Sequence, residues 1–316
     1  MRIKLAAIFL LILCFPVFAT TWDEPWQDEV IKNADSFVFA KINSFNKKTG
    51  INLTITKTIS GRQLSGKIKI TDFYLLNFTS YSGDGGGFFH FEGAKEGYFF
   101  VKQNQKGKFC IATPTAGFAI LHNGLVYATY RYSYHQALVP PDIYEKTMTA
   151  IFNNYHNQPY DGDFINQFVK KYIVQKPAGI NTSENELFFF QHAALETLYH
   201  LRLSGYYSET LPFLSPDSNF HAQVSAARAL ISYNTDQCKS ELLSIINAKN
   251  REDFVQVISI WTLSEFWPVE LKSKLMDLEK TASTKANGFG GNIMDPRVGT
   301  YFPDVKTAIQ NLIKTL

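Results

Sequence analysis

The chain has two patterns of apolar spacing, one after the other. Between Ala34 and Tyr134 short β-branched and aromatic runs are separated by Gly, Asn and Lys turns, and "ADSFVFAKINSF", "GINLTITKTI", "GKIKITDFYLL", "GYFFVKQN", "KFCIAT" and "GLVYATYRYSY" each read as a strand. In "NLTITKT" Leu53 and Ile55 alternate with Thr54 and Thr56, the period of a sheet with one solvated face. Six such segments predict a closed or nearly closed barrel. The prolines of "VPPD" then end the sheet region and open a helix. Two connecting helices are expected, over about residues 143–156 and 164–175, the second capped by Asp161 or Asp163.

Beyond the linker "QKPAGINTSEN" the sequence repeats itself. Phe190, Ala222 and Val255 recur 32 and 33 residues apart, and the positions that follow keep step: Ala193, Ser225 and Ile258; Ala194, Ala226 and Ser259; Leu198, Leu230 and Leu263. Spacings of three and four residues put these side chains on one helical stripe, with small residues where helices approach closely. Second amphipathic segments, "DQCKSELLSII" and "ELKSKLMDLE", lie between them, so each unit is a helix pair. The last unit is displaced, with Val305 lying 50 residues after Val255, by the Gly- and Asn-rich insertion "KANGFGGNIMDPRVG".

These residues carry two resemblances. "AQVSAARAL" and "DVKTAIQNL" resemble the second helix of a HEAT repeat, over about residues 184–316. The β half, beginning at "ADSFVFAKI", resembles the OB-type barrel of netrin-like, metalloproteinase-inhibitor domains, without that family's cysteines. The expected class is therefore α+β, an N-terminal OB-like β-barrel followed by a C-terminal HEAT-like α-solenoid. The expected division is a signal peptide at 1–19, the barrel at 20–139, connecting helices and linker at 140–183 and helical repeats at 184–316, with the two halves separable as fragments 20–176 and 177–316.

Composition narrows the setting. A basic start, an apolar run from Leu5 to Phe18 and small or branched residues at Val17 and Ala19 read as a secretory signal peptide cleaved after Ala19. That run is too short for the roughly 20 residues a membrane span needs. Leu13 stands before Cys14 where a lipobox wants a small residue, which argues against lipidation. The expected location is a bacterial periplasm or the exterior. Beyond residue 19 there are 29 basic and 28 acidic side chains and no basic block interleaved with aromatics, so nucleic acid is not an expected partner. Cys110 and Cys238 fall in different halves and are expected as free buried thiols.

Candidate chemistry is sparse. The glycine-rich "YSGDGGGFFHFEG" lacks the following helix and Lys-Ser/Thr of a phosphate loop, and Asp84 and His90 are too few for a metal site. His192, Glu196 and His200 stand four apart on one helix face, but the same columns hold Val224, Arg228 and Ser232 in the next repeat, so a solvated polar face is expected rather than a metal. No nucleophile elbow or His-Glu-x-x-His occurs. No cofactor is expected, and no catalytic residue is assigned. The sequence reads as a non-enzymatic module that binds another protein through its repeats or β loops, with Glu196, Arg228, Trp261, Phe88 and Phe89 as candidate contact residues. Trp261 interrupts an outward polar column of Glu196, Arg228 and Asn311, beside a column of Gln191, Gln223, Gln256 and Lys306. The competing reading covers Trp261 with the insertion. The alternative function is a hydrolase or protease inhibitor acting at the aromatic loops 88–91 and 130–134.

Overall fold

The computed structural model describes residues 22–46, 50–71, 95–113, 116–132, 135–179, 182–291 and 298–316. The signal-peptide reading, the glycine-rich stretch with Phe88 and Phe89, and Tyr134 lie outside them. The molecule is mixed α+β.

Five strands, β2 (Ser36–Asn46), β3 (Gly50–Gly61), β4 (Gly66–Ile70), β5 (Glu96–Gln103) and β6 (Phe109–Cys110), close on themselves in the order β2-β3-β4-β6-β5-β2. All neighbours are antiparallel except β4 and β6, which meet in parallel at Ile70 and Phe109. Tight closure fixes Gly50: its φ is +98°, and a Cβ there would stand 1.9 Å from the Ile70 carbonyl oxygen. Val38, Ala40, Leu53, Phe99 and Val101 fill the barrel.

Sequence reading misses β7 (Phe118–His122) and β9 (Gln136–Val139), which with β8 (Leu125–Thr129) extend the sheet from β5. A helix laid over the sheet explains the unbroken apolar run of "SFVFA". Val38 points into the barrel while Phe37, on the other face, stacks at 4.8 Å on Phe100 and at 6.2 Å on Phe152. Phe152 belongs to α2 (Pro141–Tyr155), which lies over that outer face. Both faces of β2 and β5 are thus buried, and alternation disappears.

Before the barrel come β1 (Trp22–Asp23) and α1 (Gln27–Lys32). After α2 the chain continues through α3 (Gly162–Ile173), α4 (Asn185–Leu201), the single turn α5 (Tyr207–Thr210), α6 (Phe220–Ala229), α7 (Asp236–Asn247), α8 (Asp253–Ser264), α9 (Lys272–Glu279) and α10 (Val305–Thr315). Side-chain caps start α3 at Asp161, α6 at Asn219, α7 at Thr235 and α10 at Asp304. Helix α4 packs on α6, α6 on α8 and α8 on α10, while α3, α7 and α9 pair with α4, α8 and α10. The stripe aligned from sequence is the contact: Ala193, Ser225, Ser259, Leu198, Leu230, Leu263, Ala308 and Leu312 are all buried.

The insertion forms a hairpin of β10 (Asn287–Gly291) and β11 (Val298–Phe302), and β1 joins β11 in parallel. One apolar core runs without interruption from Phe37 and Tyr98 on the sheet through α2, α3 and the repeats to Leu312. The expectation of two separable halves therefore meets a shared interior. Among the described residues no helix is long and apolar enough to cross a membrane.

Candidate functional site

The polar face of α4 is the main departure from sequence reading. His192, Glu196 and His200 are all buried, with Glu196 wholly enclosed. What covers them is the protein's own sheet extension, since α4 packs against β9 and the segment joining β8 to β9. A solvated face was the expectation; the structure corrects it, because helical spacing gives the direction of a side chain and not what lies opposite.

Ser225 on α6 is the hub. Its hydroxyl donates to Glu196 Oε1 at 2.6 Å and so must accept from its other partners, Arg131 Nη1 at 3.1 Å and His192 Nδ1 at 3.1 Å. This places the proton of His192 on Nδ1, and its Nε2 has no hydrogen-bond partner among the described residues. Arg131, just after β8, also donates to the His221 carbonyl and to His221 Nδ1, each at 3.1 Å. The His135 ring stacks on His221 at 4.0 Å and meets His192 edge-on at 4.1 Å. At the other end of α4, His200 Nε2 donates to the Tyr130 carbonyl at 2.6 Å, so its Nδ1 accepts from the Tyr155 hydroxyl at 2.9 Å.

Electrostatics follow from enclosure. Burial, reinforced by the surrounding positive charges, pushes His135 and His192 well below the ordinary histidine value, and brings His221 down to about 3 and His200 to about 4. All four are neutral at pH 7. Burial also lowers Arg131 to about 10, against the opposing pull of Glu196, and leaves it charged.

Ser225, His192 and Glu196 have the composition of a hydrolytic triad but not its wiring. The serine proton goes to Glu196, the imidazole donates to the serine rather than accepting from it, and Ser225 is fully buried. Among the described residues no group of three or more His, Cys, Asp or Glu is placed to hold a metal ion.

The column of Glu196, Arg228 and Trp261 does come together, but inward. Arg228 Nε lies 3.2 Å from Glu196 Oε2, close enough for charge pairing though its N–H is not directed at that oxygen. The guanidinium lies over the rings of Tyr199 at 4.0 Å and Trp26 at 4.7 Å. Trp261 is half-buried against Trp26 at 6.2 Å and Phe302 at 5.7 Å, so both the N-terminal segment and the inserted hairpin cover it. Glu196 and Arg228, proposed from sequence as exposed contact residues, are corrected to enclosed ones. Beside them a cleft of about 200 Å³ is lined by Trp26, Tyr199, Arg228 and Trp261, with Asp28, Glu29 and Glu265 among its other walls.

Gln191, Gln223 and Gln256 turn inward as well. Each carboxamide donates to carbonyls of the loop entering its own helix: Gln191 to Lys176, Gln223 to Ser218 and Gln256 to Ala248. A broader cleft of about 880 Å³ lies at the N-terminal ends of α6 and α8, with His221, Lys249, Arg251, Asp253 and Lys285 along it. Among the described residues Cys238 is a buried free thiol, whereas Cys110, expected to be buried, is half-buried with its Sγ 3.8 Å from the Lys102 carbonyl oxygen. The chain matches no family model, no curated protein and no solved structure.

Proposed function

We propose that this is an exported, non-enzymatic scaffold that binds another protein, built from an OB-like barrel and a HEAT-like array held in one fixed orientation. One observation carries the reading. The groups best suited to chemistry, Arg131, Ser225, Glu196 and His192, spend their hydrogen bonds on one another across the junction of sheet and helices. A buried polar network of that kind fixes geometry, and fixed geometry is what a binding surface needs. The barrel order with its parallel β4–β6 pair supports the OB-like part, and the succession α4, α6, α8 and α10 supports the HEAT-like part. The signal-like first 19 residues support export.

The test is direct. Mature protein recovered from the native host is expected to begin at Thr20, and crosslinking there should yield one defined adduct whose isolated partner binds the purified chain saturably. Turnover of peptide or glycoside substrates by the purified chain would replace this reading with the hydrolase one.

A further inference from the structure

The cleft beside Arg228 has a built chemical polarity. One of its walls is Arg228, a residue more than nine-tenths enclosed, whose Nε and Nη2 are shut off from solvent and have no hydrogen-bond partner among the described residues. Arg228 and Arg131 share one enclosed carboxylate, Glu196, so this cluster carries one more positive than negative charge. An enclosed cation short of hydrogen-bond acceptors is costly, and a negative charge held in the cleft beside it offsets that cost. The acceptor that suits a planar guanidinium fork is a carboxylate.

The rim has the opposite sign. Asp28, Glu29 and Glu265 line the cleft. Asp28 pairs with Lys32 and Glu265 with Arg202, but both partner cations stand about half in solvent, where such pairs are weak. Glu29 forms no ion pair among the described residues. Burial alone would raise Asp28, yet the Lys32 hydrogen bond and the nearby positive charges, Arg228 among them, hold it below its ordinary value. The rim is therefore anionic at neutral pH and favours an ammonium, while Trp26 and Trp261 supply aromatic wall for the carbons between.

We propose that this cleft binds a small zwitterionic amino carboxylate, its carboxylate on Arg228 and its ammonium at the acidic rim. A volume of about 200 Å³ suits a molecule the size of a single amino acid and excludes a folded polypeptide. The site goes beyond protein binding and stands or falls independently of it.

The test is calorimetric titration of the full chain at pH 7.5 with glycine, 4-aminobutyrate and 6-aminohexanoate, a ladder of charge separations, against acetate and ethylammonium as single-charge controls. At least one zwitterion is expected to bind one-to-one with Kd below about 1 mM and to raise Tm, with both controls at least tenfold weaker. Arg228→Met should abolish the binding, and Glu29→Gln should weaken it severalfold. Failure of every zwitterion at about 10 mM overturns the proposal, as does acetate binding equally well. Should Arg228→Met not fold, Glu29→Gln decides, because that side chain is exposed: undiminished binding there overturns the two-charge site.

Discussion

Glutamine at equivalent places in three successive inner helices acts as a clasp on the loop that precedes each one. Gln256 shows the chemistry most fully, its Nε2 donating to the Ala248 carbonyl at 2.7 Å and to that of Ile246 at 3.1 Å. Replacing it by methionine keeps the volume and strands those carbonyls. Gln256→Met should lower unfolding free energy by about 1–3 kcal/mol, measured by urea denaturation at pH 7.5. Glu196→Gln should cost more. Removing that carboxylate leaves Arg131 and Arg228 enclosed without their shared counter-charge, a loss on the order of 3–5 kcal/mol. A change below about 1 kcal/mol would mean that solvent or another group already neutralises the pair. Both residues were visible in the sequence as members of polar columns, and both were read as outward. Spacing fixes the angle of a side chain about its helix. The cover comes from elsewhere: the loop carbonyls over Gln256, and over Glu196 a sheet segment some 65 residues earlier in the chain, as the contact with Arg131 shows.

Between elements, α4, α6 and the β8–β9 segment bring His192, His200, His221 and His135 into one interior, facing Arg131, Arg228, Glu196 and Ser225. In the unfolded chain an imidazole takes its proton near pH 6.5, whereas folding holds these four well below that. Below pH 6.5 the unfolded state then binds more protons than the folded one. Stability is at its full value above pH 6.5 and falls as pH drops toward 3–4, the values of His221 and His200. Each histidine that stays neutral in the fold removes about 1.4 kcal/mol for every unit below 6.5. Urea midpoints taken from pH 8 to pH 5 should be flat above 7 and drop steeply below 6.5; a profile level to pH 5 would contradict the enclosed cluster. The elements themselves were largely legible. The helix stripe, the cap at Asp161 and the strands β2 to β5 follow from local pattern. The strands β7 and β9 did not, because "FAILH" and "QALV" are short and lack clean alternation, and their pairing is set by neighbours rather than by their own residues.

At the scale of the whole molecule, the change of apolar period near Val139 marks a change of architecture without marking a break in packing. Phe37 and Phe100 of the barrel strands bury their outer faces on Phe152, and Arg131 and Tyr130 reach across to Ser225 and His200. The chain also returns on itself, since β1 pairs with β11 and Trp26 lies edge-on to Phe302 and Trp261. Separating residues 20–176 from 177–316 would keep the Phe37–Phe152 contact, but would expose the partners of α4 and strand Arg131 without Glu196. It would also leave β11 without β1. The loss includes a buried ion cluster and the apolar contact between α3 and α4, each worth several kcal/mol against a total stability of roughly 5–15 kcal/mol for a typical domain. The repeat fragment 177–316 should therefore lack a cooperative thermal transition, with fragment 20–176 melting well below the full chain, and mixing the two should restore a complex with the near-ultraviolet dichroism of the intact protein. If 177–316 instead unfolds cooperatively at the Tm of the whole chain, the repeats stand alone, and the junction contributes orientation without stability.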